Sequence, residues 1–478
     1  MHSSDHPNQG ALTQGIPIQS APPRPRTFAT GSAVLPVGVS RQYAIPPRLA
    51  RGPRPDRPAT QSRFSRAYHE AVAQKRRSGS VCVMCNIKKS RCTIDPNAPD
   101  GPCTRCALYS SPCVRNRIEN SALYRNQDAP FGLFSRRWHS MDLIDIPNWA
   151  SDNSRTINLS VRYLNAPYEL KVREFVPLPG DMLEEQWTKN GQVVYYPLPA
   201  YGIAAMEEAA ISIGNMIERE ASNFVAATLN ERGSNQFVWD TYLAAFRRAG
   251  NAPTGEEKSL LNDTFRLWVL CRINCNSEHI VGEDKLDTPT VVDPDSPYYG
   301  SVPASPVLNA QLECIHYTKF LRPLSDRVLR RLRSLMESKK HREYWFTIYL
   351  TLFLLLHSCS MTTRRDKEYA SQISLSATFC NPNGINEHNF GSRTLLAQFH
   401  MALKGSLPFQ LALRGGHQAE QLSSWLTPSE IDFVRLSAIQ AAALKPHWDR
   451  IRATGEWGED DFWISQLFDD VWCPGPLH

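Results

Sequence analysis

Six cysteines between residues 82 and 113 constrain this chain more than any other feature. They repeat one spacing, C-x2-C-x6-C, and they are Cys82, Cys85, Cys92, Cys103, Cys106 and Cys113. Thiolate sulfur is a soft ligand that suits zinc, and a structural zinc ion takes four ligands in a closed tetrahedron. Six sulfurs give two ions four ligands each only if two sulfurs are shared. The spacing therefore predicts a binuclear zinc cluster.

Disulfide bonds are the main alternative for these cysteines, because an even number in a short segment is typical of small secreted domains. Residues 1–30 are rich in Pro, Gln, Ser and Thr and contain no apolar signal-peptide core. The other six cysteines are scattered through the chain. Two separate four-ligand sites need eight ligands, and His69 and His139 lie too far outside the repeat to supply them. Metal binding is favoured.

A basic run occupies the first six-residue gap. Lys88, Lys89 and Arg91 lie between Cys85 and Cys92, where a short helix starting near Cys85 would project them from one end of a metal-held unit. Lysine donates to the O6 and N7 atoms of guanine in the major groove, and neighbouring cations neutralise phosphates. A merely solvated basic surface is the alternative. Because a closed zinc site has no catalytic opening, a nucleic-acid-binding role is favoured.

Residues 82–113 resemble the fungal binuclear zinc-cluster, or Zn(2)-C6 fungal-type, DNA-binding domain. The resemblance implies two zinc ions as cofactors, bridged by Cys82 and Cys103. It implies that one ion is completed by Cys85 and Cys92, and the other by Cys106 and Cys113.

The same resemblance implies roles for the basic residues. Lys88 and Lys89 match the lysine pair with which the family reads CGG-type triplets, and Arg91 matches a phosphate contact. Two positions depart from the family pattern: Asn86 stands where the family usually has Arg, and Gly101 stands where it often has Pro. The implied function is a nuclear, zinc-dependent, sequence-specific regulator of RNA polymerase II transcription. Its implied partners are double-stranded DNA and coactivators or corepressors.

Charge divides the chain into a basic head and a mildly acidic body. Residues 1–117 carry 18 Lys and Arg against 5 Asp and Glu, a net charge of +13, which leaves about −7 for the rest because the whole chain is +6. This division suits nucleic acid bound at one end.

We predict five regions, in chain order: a disordered Pro/Ser/Arg-rich tail (1–62), a basic arm (63–81), the zinc cluster (82–113), a linker and irregular segment with short extended stretches (114–200), and a helical regulatory domain (201–478).

The predicted fold class is mainly α: a zinc module of two short helices and a large all-α C-terminal domain. Helices are predicted at Ile203–Leu229, Lys258–Cys275, Pro306–Phe320, Pro323–Met336, Tyr344–His357, Arg393–Leu403, Pro428–Leu444 and Asp460–Asp470. The apolar stretch Tyr344–His357 is too short for a membrane span and predicts a central buried helix. It resembles, with Pro306–Arg333, the helical core of fungal zinc-cluster regulators. Apolar residues between Ile118 and Leu143 show no sustained heptad, so no coiled coil is expected, although dimerisation by another route stays open.

Nothing in the sequence supports an enzyme. No phosphate-binding loop, dinucleotide-binding glycine motif or zinc-protease motif is present. Cys271, Cys275 and His357 are best explained by core packing and structural hydrogen bonds.

Acidic residues alternate with Trp and Phe after Glu456, which indicates either an activation segment or a final helix docked on the body; docking is favoured. The alternative function is a zinc module for protein contact, with the body as a scaffold or corepressor platform and no direct base readout.

Overall fold

The computed structural model describes residues 81–96, 101–109, 113–125, 146–372, 376–402, 407–414 and 416–473. The predicted tail 1–62 and all but the last residue of the predicted basic arm 63–81 lie outside these ranges. Within them the chain forms a small cysteine module and a large helical body that also contains a five-stranded antiparallel sheet and a two-stranded hairpin.

Two one-turn helices make up the cysteine module, α1 (Val83–Ile87) and α2 (Thr104–Leu108). Each begins directly after the first cysteine of a repeat. The sulfur of Cys82 accepts the backbone N–H of Cys85, and that of Cys103 accepts the N–H of Cys106. A side-chain acceptor at this position satisfies an N–H group that the first helical turn leaves unpaired. The repeated spacing thus produces the same capped turn twice.

The body contains a sheet, so the predicted all-α domain is only partly correct. Five strands pair antiparallel in the order β5-β2-β1-β6-β7, and β3 and β4 form a separate hairpin. The strands are β1 (Trp149–Ser160), β2 (Tyr168–Phe175), β3 (Glu184–Lys189), β4 (Gln192–Pro197), β5 (Tyr201–Ile203), β6 (His279–Val281) and β7 (Val302–Pro303). Tyr168, Leu170 and Val172 alternate with exposed residues along β2 and are buried. This alternation is what a sheet with one face on the core requires.

The β3–β4 hairpin turns at Asn190 and Gly191, whose φ angles are 50° and 77°. Two successive residues with positive φ match the twist of the flanking strands, and Asn-Gly is the pair that adopts this conformation most readily. The hairpin is tied to the rest of the body by Asp293, which accepts hydrogen bonds from the Trp187 indole at 2.9 Å and the Lys189 ammonium at 2.8 Å.

Each predicted helix of the body overlaps an observed one, although several differ in length, and the structure contains further helices. They are α3 (Met206–Glu231), α4 (Gln236–Asn251), α5 (Gly255–Ile273), α6 (Pro306–Ile315) with a π-helical turn (His316–Leu321), α7 (Arg322–Glu337), α8 (Trp345–Gln372), α9 (Pro382–Ala402), α10 (Pro408–Arg414), α11 (Gly416–Glu420) with a 3-10 turn (Gln421–Ser424), α12 (Pro428–Ala453) and α13 (Asp461–Ile464) with a 3-10 turn (Ser465–Phe468). Helices α4, α10 and α11 have no counterpart among the predicted helices, and α9 begins at Pro382 rather than at the predicted Arg393.

Helix α8 is the centre of the body, as the apolar stretch predicted. It is longer than expected, because it continues past His357 to Gln372, and every residue from Trp345 to Thr363 is buried. Helices α4, α5 and α13 pack around it. In the described part of the chain, this is the one helix long and apolar enough to cross a membrane, and its apolar window is wholly buried inside the protein.

The acidic and aromatic C-terminal segment docks on the body. Phe462, Trp463 and Trp472 are buried. The Asp461 carboxylate accepts the Trp448 indole N–H at 2.8 Å, and Asp469 forms a paired contact with Arg452 at 2.7 and 2.9 Å. The aromatic rings and two of the acids therefore hold this segment against the body. This agrees with the docked segment that the sequence analysis favours over an activation segment.

Candidate zinc cluster and nucleic-acid interface

The six cysteine sulfurs form two overlapping groups of four. One group contains Cys82, Cys85, Cys92 and Cys103; the other contains Cys82, Cys103, Cys106 and Cys113. Within each group all four sulfurs lie within 4.8 Å of one another. Cys82 and Cys103 belong to both groups, the two that the family resemblance implies as bridging ligands.

The distances between sulfurs test whether zinc fits. A Zn–S bond of about 2.3 Å in a tetrahedron places any two sulfurs about 3.8 Å apart. The Sγ atoms of Cys82 and Cys103 are 3.9 Å apart, and the Cys82–Cys106 and Cys85–Cys103 pairs are both 3.6 Å apart. These separations match the edge length of a ZnS4 tetrahedron and are far longer than a disulfide bond of about 2.0 Å. All twelve cysteines of the chain are free thiols.

Burial and hydrogen bonds shift the pKa values of these thiols, and for Cys113 they act in opposite directions. Burial raises the pKa of Cys92 to about 11 and also raises that of Cys106. A hydrogen bond with Cys82 lowers the pKa of Cys113 to about 5, with burial opposing it, and the same bond raises the pKa of Cys82. Zinc binds the thiolate form, so two divalent ions bound here would release protons from the thiols whose pKa burial raises.

The predicted DNA-reading residues lie at the C-terminal end of α1. Lys88 caps the helix, and Lys89 adopts a left-handed conformation with φ 48°, so the chain turns sharply away after it. Lys88, Lys89 and Arg91 are all exposed. The turn is held by the Ser90 N–H, which donates to the Cys85 carbonyl at 2.9 Å. Three cations are thus presented to solvent on a backbone fixed by the cysteine scaffold.

The opposite side of α1 is packed against the body. Val83 is 2% exposed and belongs to the main hydrophobic core, and Met84 and Ile87 pack against the same core. Helix α9 is the body element that contacts α1. The module is therefore attached to the body through its apolar face, while the cations at the end of the same helix stay free for a partner.

A segment directly after the last cysteine strengthens this attachment. Val114 accepts the Val83 N–H at 2.8 Å, and the Asn116 amide donates to the Thr394 hydroxyl at 3.2 Å. Glu119, in a 3-10 turn (Ile118–Asn120), forms an ion pair with Arg333 on α7. The described part of this segment, 113–125, packs on α7 and α9.

The weaker candidate residues are structural. The Cys271 thiol donates to the Leu123 carbonyl at 3.4 Å, and burial raises its pKa to about 12, which leaves it unreactive. His357 is fully buried, its Nδ1 lies 2.7 Å from the Tyr242 hydroxyl, and burial lowers its pKa to about 4.

Comparison with known proteins identifies the class. A family model described as KpeA transcription factor matches residues 130–467. The chain belongs to the KpeA transcription factor family. The match covers the sheet and the helical body and begins after the cysteines, so it supports a transcription regulator independently of the cluster.

One curated relative supports the same conclusion. The chain is 22% identical over 388 residues to the satratoxin biosynthesis SC3 cluster transcription factor SAT20 of Stachybotrys chartarum. The alignment covers 76% of this chain and 51% of that protein, so the chain spans about half the length of its relative. No solved structure matches the chain.

Proposed function

We propose that this member of the KpeA family is a nuclear, sequence-specific DNA-binding regulator of RNA polymerase II transcription that reads DNA through a binuclear zinc cluster. One observation carries the proposal. The two four-sulfur groups share Cys82 and Cys103, and the exposed cations at the end of α1 lie directly beside them. A closed metal scaffold that presents lysines at a helix end suits major-groove recognition.

Each residue has a role in this proposal. Cys82 and Cys103 bridge two zinc ions, which are completed by Cys85 and Cys92 on one side and Cys106 and Cys113 on the other. Lys88 and Lys89 donate to guanine acceptors of a CGG-type triplet, and Arg91 contacts phosphate. The zinc ions supply the rigidity that a module of two one-turn helices lacks.

The body then acts as the regulatory part. We retain residues 82–113 as the DNA-binding domain and 201–478 as the regulatory domain, and strands β1 and β2 pair with strands of the latter. Its partners are coactivators or corepressors, and we assign it no catalytic role. The tail 1–62 and the basic arm 63–81 remain predictions from composition.

Metal counting tests the cluster. Native mass spectrometry of the full chain is expected to show two zinc ions. Cys103→Ala removes a sulfur common to both groups and is expected to abolish the two-zinc species. Cys473→Ala, which removes an exposed cysteine outside the cluster, is the matched control and is expected to retain both ions. Two ions bound by the Cys103→Ala chain would contradict the shared-sulfur assignment.

DNA affinity tests the reading role. Lys89→Ala is expected to weaken binding to the preferred site about tenfold or more, because a base-reading contact is worth about 1–3 kcal/mol. Lys367→Ala removes an exposed lysine of the body and is expected to leave the Kd unchanged. Equal affinity of the Lys89→Ala chain for preferred and unrelated DNA supports base readout. Absence of DNA binding by the zinc-loaded wild type would favour the protein-contact alternative.

A further inference from the structure

One arginine of the body lacks the kind of partner that comparable arginines have. Arg393, on α9, is half-buried and forms no hydrogen bond or ion pair with any residue that the structure describes. Every other half-buried arginine in the described part of 146–473 pairs with a carboxylate, apart from Arg365, which donates to the Cys275 carbonyl at 3.1 Å. Burial lowers the pKa of Arg393, and no acid opposes this effect. Because a guanidinium stays charged in proteins, a half-buried positive charge is left without a counter-charge.

An anion from solution would supply this missing counter-charge. Partial loss of hydration costs free energy when no opposite charge replaces the water. Within the described structure, no nitrogen of the Arg393 side chain is sealed from solvent, so a ligand can reach the guanidinium directly. Its planar fork of N–H donors matches the oxygens of a phosphate group, and charge-assisted hydrogen bonds of this kind are strong. The chemistry of this side chain therefore fits a phosphate.

Arg393 lies where the exposed surface of α9 meets the attachment of the zinc module. Outward-facing residues of this helix include Glu387 and Phe390, and both are exposed. One helical turn further, Thr394 is fully buried, and its hydroxyl accepts the Asn116 amide at 3.2 Å, from the segment after the last cysteine. Helix α1 also contacts α9. Arg393 directly precedes Thr394, and this position, together with its partial exposure, places it at the rim of the covered area.

The cations that read DNA in the proposed function belong to the same attachment. Val83, at the start of α1, donates to the Val114 carbonyl at 2.8 Å, two residues before Asn116. Lys88 caps the other end of α1, and this helix of five residues is about 7 Å long. One turn of B-DNA is about 34 Å long. A duplex held at the end of α1 therefore extends well beyond the module and can reach the body on which the module is docked.

We propose that the DNA interface is shared between the zinc module and the body, with Arg393 of α9 bound to a phosphate that flanks the triplet. This inference rests on the proposed function. Lys88 and Lys89 would determine which sequence is bound, and Arg393 would add affinity that does not depend on sequence. A duplex that contacts both parts also fixes α1 relative to α9. Any regulatory change that moves α9 would then alter the affinity for DNA.

The salt dependence of DNA binding by the zinc-loaded full chain tests this contact. Each neutralised phosphate contributes about 0.9 to the slope of log K against log salt concentration. Arg393→Ala is therefore expected to reduce this slope by about 0.9, and to weaken binding to preferred and unrelated duplexes by the same factor, about threefold or more. Arg435→Ala removes an exposed arginine from α12, which packs on α4, α10 and α13, and this matched control should keep the slope of the wild type. An unchanged slope in the Arg393→Ala chain would overturn the proposal.

Two further measurements separate a phosphate contact from a structural role. Arg393→Lys keeps the positive charge and is expected to keep the slope of the wild type. Equal losses of affinity and of zinc content in both Arg393 variants would indicate a structural role and overturn the proposal. Duplexes in which single flanking phosphates are replaced by neutral methylphosphonates locate the contact. One such replacement should weaken binding by the wild type and leave binding by the Arg393→Ala chain unaffected, whereas equal effects on both chains at every position would overturn a direct contact.

These outcomes are distinguishable from failure of the proposed function. Absence of DNA binding by the zinc-loaded wild type would refute the proposed function and this inference together. Sequence-specific binding by the wild type, with the same salt slope in the Arg393→Ala chain, would refute this inference alone.

Discussion

The carboxyl group of Glu278 is buried just before strand β6, where it is 5% exposed. It accepts a hydrogen bond from the Tyr168 hydroxyl at 2.7 Å, and His316 Nε2 lies 3.8 Å away. Burial raises the pKa of Glu278 to about 7, and burial also lowers the pKa of His316 to about 4. The nearby Glu313 has a pKa of about 7 for the same reason. In the folded protein at pH 6, Glu278 is therefore a neutral carboxylic acid beside the neutral imidazole of His316.

Replacing Glu278 by Gln keeps the acceptor for Tyr168 and removes the titration. An unfolded glutamate ionises near pH 4.5, so folding takes up a proton between pH 4.5 and 7 and the free energy of unfolding falls as the pH rises through this window. One pKa unit corresponds to about 1.4 kcal/mol. The stability of Glu278→Gln relative to the wild type should therefore increase by about 2–3 kcal/mol between pH 5 and pH 8.

Urea unfolding at several pH values with zinc held constant measures this difference. Zinc release at low pH affects both chains equally and cancels in the comparison. Glu283→Gln, which alters an exposed glutamate nearby in the chain, should show no pH-dependent difference from the wild type. Parallel stability curves for Glu278→Gln and the wild type would refute the reasoning. A variant less stable at every pH would instead indicate an ionised Glu278 paired with a protonated His316.

Other predictions concern packing, and all are measured as free energies of unfolding. Gly391→Ala should cost about 1–3 kcal/mol, because the added β-carbon meets the Ala122 backbone. Gly250 is a helical glycine with open space around it, so Gly250→Ala should stabilise the protein by about 0.5–1 kcal/mol. Equal effects of the two changes would contradict the close contact of α9 with the segment after the cluster. Leu350→Ala, at a fully buried position of α8, should cost about 2–5 kcal/mol, and a loss below about 1 kcal/mol would contradict a central α8. Thr427→Ala removes the capping box with Glu430 and should cost about 1 kcal/mol; no loss would contradict the cap.

The cysteine module could be predicted in most of its detail because its geometry is local. The ligand spacing determines where each one-turn helix begins. Counting sulfurs predicts that two ligands are shared, and the family resemblance implies that these are Cys82 and Cys103. The helices of the body were also accessible where their apolar residues recur with helical period. In α7, Val328, Leu329, Leu332 and Leu335 are all buried, as the pattern predicted.

Helix α4 was missed although its sequence carries a start signal. Asn235 caps the helix by accepting the Val238 N–H at 3.0 Å. Its buried face is built from aromatic residues, among them Phe237 and Tyr242, which have only modest helix propensity. Tertiary packing on α5 and α8 stabilises it, and such packing is not visible in a window of local sequence.

The sheet was underestimated for a different reason. Asn190-Gly191, directly before the apolar stretch 193–196, is a hairpin signal that the sequence does contain. In the main sheet, the alternation along β2 is readable locally, but the pairing of β1 with β6, more than a hundred residues later through Leu159 and Ile280, is not. Short strands such as β6 and β7 gain stability only from partners that the fold brings to them.

The contact between module and body was equally inaccessible. Val83, Met84 and Ile87 are apolar, but a helix of five residues is too short to establish a periodicity. Their packing next to the body core appears only once α9 and the segment after Cys113 are in place. Because this contact uses one side of α1, it determines which side of the module faces a partner.

The central claim is that the cations beside the shared sulfurs read DNA, and selection from random double-stranded oligonucleotides tests it most directly. The zinc-loaded wild-type chain is expected to enrich a CGG-type triplet. The Lys88→Ala/Lys89→Ala chain, with both zinc ions still bound, is expected to enrich no triplet. Enrichment of the same triplet by both chains, or of none by the wild type, would contradict the account.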